Sequence, residues 1–150
     1  MKFSLFIVGL FAVSTAFASE VVSRKLSWSP LTNSGWTTTY YSCSFAESQV
    51  ESHLKSLGAQ NVRVSCSGGI EMGWSMPVMI DARFDAVVPS GNDTTSNVKL
   101  RNHSEDSCSF NVEFLDRVIP MFPGVTVNSK RSSCMGSRTD SWSYDLTVTL

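Results

Sequence analysis

Apolar residues open the chain as a single block. Phe3 to Val13 is broken only by Ser4 and Gly9, follows the positive start Met1-Lys2, and runs into Ser14-Thr15-Ala16-Phe17-Ala18. A cationic start, a short apolar stretch and a small-x-small ending form the pattern of a secretory signal peptide, and the block is too short to span a bilayer comfortably. The expectation is a leader over 1–18 and a mature chain over 19–150, secreted or periplasmic. Ser19, not a cysteine, stands immediately after the expected cut, and no other segment reaches the length of an integral membrane span.

Beyond that block, helical and strand periods take turns. Ala46, Val50, His53, Leu54 and Leu57 fall on one helical stripe. Ser44 and Glu47 have the spacing of a capping box at its start, and Gly58 supplies the stop. A second stripe, Leu115, Val118, Ile119 and Phe122, follows Cys108, with Pro120 near its end and Pro123-Gly124 closing it. Trp36–Tyr41 and Val98–Arg101 read as strands before the two helices, and Asn61–Val64 and Val125–Asn128 as strands after them. Longer strands come last. Met76, Val78, Ile80, Ala82 and Phe84 line one face of Met76–Val88, and Tyr144, Leu146, Val148 and Leu150 line one face of the C-terminal strand. Val21–Trp28 is compatible with an added edge strand, and Ser90–Thr95 with a polar linker.

The order of these elements repeats, and so do some of their residues. Ser42-Cys43-Ser44-Phe45 returns as Ser107-Cys108-Ser109-Phe110. Each half then has a second cysteine, Cys66 or Cys134, and eight residues later a Trp-Ser pair, Trp74-Ser75 or Trp142-Ser143. Two tandem β-α-β-β repeats, about 36–88 and 97–150, are expected from this match. One apolar face per strand set and one apolar stripe per helix imply an α+β, two-layer sandwich of pseudo-symmetric design, a mainly antiparallel sheet covered by two helices. This resembles the ferredoxin-like topologies in architecture only, and such a resemblance implies no activity.

An even cysteine count in an exported chain reads as disulfides. Four cysteines allow three pairings, and pairing within each repeat, Cys43 with Cys66 and Cys108 with Cys134, needs only local geometry. Zinc is disfavoured because the nearest cysteines are 23 residues apart and no close C-x-x-C pair exists. The same absence argues against a redox pair, so the bridges read as staples.

Composition narrows the function further. Lys+Arg 12 against Asp+Glu 13, with 42% apolar and 17% charged residues, is the balance of an ordinary globular chain and excludes a polybasic nucleic-acid binder. Removing Lys2 with the leader moves the formal net charge from −1 to −2. No nucleic-acid partner, cofactor or metal is expected. No Ca²⁺ loop, H-E-x-x-H, Walker loop or dinucleotide fingerprint is present. Asp81, Arg83 and Asp85 alternate on one strand face, but the carboxylates lie roughly 13 Å apart, beyond a glycosidase pair, with a cation between them. His53 sits on a helix stripe, and His103 in a polar acidic segment without a nucleophile elbow.

The expected function is therefore a non-enzymatic binding or interaction protein, its partner another extracytoplasmic protein or an envelope polysaccharide. The two hairpin loops, 67–74 and 135–142, are the expected contact surface, with Trp74, Trp142, Met72 and Arg138 as binding residues. Two rival readings are a small secreted hydrolase built on His103 or His53, and a secreted toxin or effector. Asn92-Asp93-Thr94 and Asn102-His103-Ser104 fit the glycan acceptor pattern, which matters only in a eukaryote.

Overall fold

The computed structural model describes residues 20–30, 33–34, 37–71, 73–102, 108–134 and 140–150. The expected leader lies outside the described residues, as do Trp36, Met72, His103 and Arg138.

Strand β1 (Glu20–Trp28) runs antiparallel to β5 (Trp74–Val88) over its full length, from Glu20 opposite Val88 to Trp28 opposite Ile80. Strand β4 (Gln60–Glu71) takes the other edge of β5, so the first sheet has the order β1-β5-β4. The second sheet is built alike from β6 (Thr95–Asn102), β7 (Val125–Ser133) and β8 (Ser141–Thr149), in the order β6-β8-β7. Both are antiparallel. The α+β class and the antiparallel pairing are as expected, but the strands form two three-stranded sheets where one sheet was anticipated.

The first strand of the first half is also not the expected one. Thr37–Thr38 (β3) makes only a two-residue ladder with Asn33–Ser34 (β2), and 39–42 lie outside any strand. The β-forming composition of Trp36–Tyr41 is overridden because β1 already occupies the free edge of β5 along nine residues. The stretch with weaker local pattern has the better tertiary partner.

Helix α1 (Cys43–Ser56) buries Ala46, Val50, His53 and Leu54, with Leu57 buried at its C-cap. Its cap differs from the expected box. Ser42, in extended conformation, accepts a hydrogen bond from the Phe45 N–H at 3.3 Å. Glu47 reaches away from its own helix and accepts from the Cys66 N–H at 2.9 Å, tying α1 to β4 beside the disulfide. The helix stops at Gly58, whose φ of +83° is unfavourable for residues with a side chain; a Cβ there would also press on the Leu150 side chain. Helix α2 (Cys108–Val118) buries Phe110, Phe114, Leu115 and Val118. It tightens into a 3₁₀ turn at Ile119–Met121, where the ring of Pro120 is accommodated.

The two disulfides join Cys43 to Cys66 and Cys108 to Cys134, with Cα atoms 5.4 and 5.5 Å apart. Each starts at the first residue of a helix and ends at the strand that follows it, within β4 at Cys66 and one residue past β7 at Cys134. Each is worth roughly 3 kcal/mol through the loop it closes. One cluster of buried side chains draws on both sheets and both helices. Aromatic contacts join the halves. Trp28 of β1 packs against Phe110 and Phe114 of α2, centroids 5.0 and 5.6 Å away, and its Nε1–H donates to Glu113 at 2.9 Å. Phe84 stacks on Phe122 at 5.1 Å.

Candidate functional site

The β4–β5 hairpin continues past the end of the core. Ser65 pairs with Asp81 in the first sheet and Ser133 with Ser141 in the second, each serine standing one residue before the second cysteine of its half. Fifteen residues separate the first pair and seven the second, so the first hairpin is eight residues longer. That extra length begins at Gly68-Gly69, which the sequence suggests as a turn but which the structure places inside β4, at a register shift. Both glycines have positive φ. A Cβ on Gly68 would stand 2.4 Å from the Pro77 carbonyl oxygen, and one on Gly69 would stand 2.9 Å from that of Tyr41. Bare backbone at these positions therefore lets β4 cross closely over the start of α1, where the Cys43–Cys66 bridge pins it.

Past this crossing the hairpin is capped by a tight connection between Glu71 and Trp74, with Gly73 at φ +86°. Its large apolar residues are left in water. Trp74 is 79% exposed, Met76 60%, Ile70 50% and Met79 48%. Sequence periodicity assigns Met76 to the buried face of its strand with Val78 and Ile80. The structure buries the latter two and exposes Met76, because the core ends before the strand does.

Trp142 has a different setting. Counting from the Ser65–Asp81 and Ser133–Ser141 pairs, it occupies the place of Ala82, not of Trp74. It is 3% exposed, with its ring edge-on to His53 at 5.6 Å and to Tyr144 at 6.1 Å. Its indole Nε1 is buried without a hydrogen-bond partner among the described residues. The structure thus leaves Ile70, Trp74, Met76 and Met79 exposed along one hairpin end, with Ile70, which pairs with Ser75, on the opposite face from Trp74 and Met76, and places Trp142 elsewhere, in the core. Met72 and Arg138 lie outside the described residues. Met79 was missed by sequence reasoning. The signal available was the density of large apolar residues between Gly68 and Met79, a segment already containing three glycines.

His53 is 7% exposed, and its Nε2–H donates to the Asn111 side-chain oxygen at 2.7 Å. Burial lowers its pKa, opposed by the Asn111 hydrogen bond, and the ring is neutral near pH 7. It borders a depression of about 250 Å³ between α1 and β6, lined also by Gln49, Ser52, Lys99, Arg101 and Trp142. The side-chain hydrogen-bond partner of its ring is the Asn111 amide, not a carboxylate. Among the described residues no group of three or more His, Cys, Asp or Glu side chains is placed to hold a metal ion. No described helix is long and apolar enough to cross a membrane.

Comparison with protein-family models, with curated proteins and with solved structures returns no match to this chain.

Proposed function

We propose that the chain is an extracytoplasmic, non-enzymatic interaction protein that engages another protein through the end of its β4–β5 hairpin. The observation that carries this reading is the exposure of four large apolar side chains there: Trp74 and Met76 side by side on one face, with Ile70 and Met79 beside them along the same hairpin end. Tryptophan and methionine in water raise the free energy of the isolated chain and are concentrated at contact surfaces, where burying them releases that cost. The hairpin is stiffened by its strand pairing and pinned at its base by Cys43–Cys66, so little order is lost on docking.

The compartment is supported by two disulfides, which persist in oxidising surroundings, and by the leader pattern of residues 1–18. The shared strand order and equivalent disulfides of the two halves support descent from a duplicated β-α-β-β unit, the first copy having lengthened its hairpin. Sizing of the protein in extracytoplasmic extracts of its own host tests the function. The unaltered chain is expected in a species larger than its monomer, and Trp74→Ser/Met76→Ser at the monomer position. Identical elution of the two would overturn the reading.

A further inference from the structure

We propose that the outer faces of the two sheets bind an acidic polysaccharide, a polymer bearing carboxylate or sulfate groups on its sugars, through two equivalent rows of cationic side chains. In the first sheet the register sets Lys25, Arg83 and Arg63 side by side across β1, β5 and β4. In the second, the matching row is Arg101, Ser143 and Arg131 across β6, β8 and β7. Like charges directly opposite one another destabilise a sheet. All five cations are exposed, and none forms an ion pair among the described residues. In the first sheet Arg83 faces Lys25 and Arg63 directly. Asp81 and Asp85, two residues away along β5, offset this three-cation contact only in part, and an anionic ligand would relieve it. In the second, Arg101 and Arg131 flank the neutral Ser143 and leave a gap between two cations that an anion would fill.

The aspartate next to each row is held in the same way in both sheets. Asp85 accepts from Asn61 at 2.8 Å and from Ser23, and Asp145 accepts from Ser129 at 2.8 Å. Asn61 and Ser129 both stand at a register shift of the outer strand. These hydrogen bonds lower the pKa of both carboxyls, with Ser23 the larger influence on Asp85 and Ser129 on Asp145. Neutral donors hold both carboxylates, and neither forms an ion pair with an arginine among the described residues; Lys99 lies 3.3 Å from Asp145, and the charges of Lys99 and Arg131 also favour its ionised form.

In the second sheet the small Ser143 between two arginines leaves a depression of about 460 Å³, floored by Ser133, Ser141 and Ser143. Its walls, Arg101 and Arg131, rise from strands about 10 Å apart. Guanidinium forks take carboxylate or sulfate in two-point contact, and hydroxyls and a fixed carboxylate take sugar hydroxyls. A nucleic acid fits less well, because neither row contains an aromatic ring for base stacking. None of these residues belongs to the hairpin end, so the two proposals stand or fall separately.

The test is binding of the purified chain to immobilised polygalacturonate and heparin, with dextran and single-stranded DNA alongside. Binding to at least one acidic polysaccharide, weakening as salt rises, and none to dextran is expected; which polymer binds tells carboxylate from sulfate. Arg101→Ser/Arg131→Ser and Lys25→Ser/Arg63→Ser should each lower affinity roughly tenfold, the loss of two exposed charge contacts. Ser143→Asp, which places an anion between Arg101 and Arg131, should do the same to the second row. Lys55→Ser/Arg117→Ser, on the helices, should leave binding intact. The salt titration of the unaltered chain checks the same claim without any variant. The proposal is overturned if neither acidic polymer binds, if the row variants bind as well as the original, or if DNA binds as tightly.

Discussion

His53 and Trp142 meet edge to face in one buried corner, and that corner sets how the protein responds to acid. Because burial lowers the histidine pKa from its ordinary 6.5, the unfolded chain takes up a proton before the folded one does. Stability is full above pH 6.5 and falls as the pH drops from there toward the lowered folded value. The exposed Asp85 and Asp145, whose pKa values are also lowered, act in a separate window: their contribution is present above the ordinary 3.8 and lost on further acidification. Urea midpoints from pH 7.5 to 5 should therefore decline in the native chain, and His53→Gln, which keeps a donor for Asn111, should flatten that decline. Trp142→Ala should cost about 3–5 kcal/mol, as expected for deleting a buried tryptophan. Trp74→Ser should change stability by no more than about 0.5 kcal/mol, since the residue lies outside the core. Equal losses in the two unfolding curves would contradict the assignment of one ring to the core and the other to the surface.

Helices and bridges are the elements most legible in the sequence, because their determinants are local. The stripe from Ala46 to Leu57 is buried along its length, and each cysteine pairs with the partner that its helix and following strand bring close. Strands depend on what lies beside them, and there the reading failed in two places. β1 was only a possible edge because Arg24 interrupts the apolar alternation of Val22, Leu26 and Trp28. The shared Trp-Ser spacing suggested two equivalent loops, but equal distance along the chain is not equal register when one hairpin is eight residues longer. Residue spacing alone cannot show where a core ends along a strand, so the exposure of Met76 was hidden too, whereas that of Met79 follows from its alternation with Val78 and Ile80. The hairpin's base is the element most open to test. Gly68→Ala should cost more than about 1 kcal/mol, from a positive φ and a blocked Cβ. Removing the bridge with Cys43→Ala/Cys66→Ala should cost about 2–5 kcal/mol in thermal or urea unfolding.

At the scale of the molecule, two sheets of one design share a core but differ in what they offer outward. Both carry a cationic row beside a hydrogen-bonded aspartate, while only the first extends a described hairpin of exposed tryptophan and methionine. The division between a rigid stapled body and one apolar tip is what a docking protein needs: the body keeps its shape and the tip supplies the contact. Asn111 beside His53 and the serines around Arg101 and Arg131 are the neutral polar partners of these titratable and charged groups. Site-specific photo-crosslinking in the native compartment addresses the central claim most directly. A photoreactive residue at position 74 should yield a discrete adduct heavier than the chain, and the same residue at Lys55 on α1 should yield none. Adducts of equal strength from both positions, or none from position 74, would contradict the account.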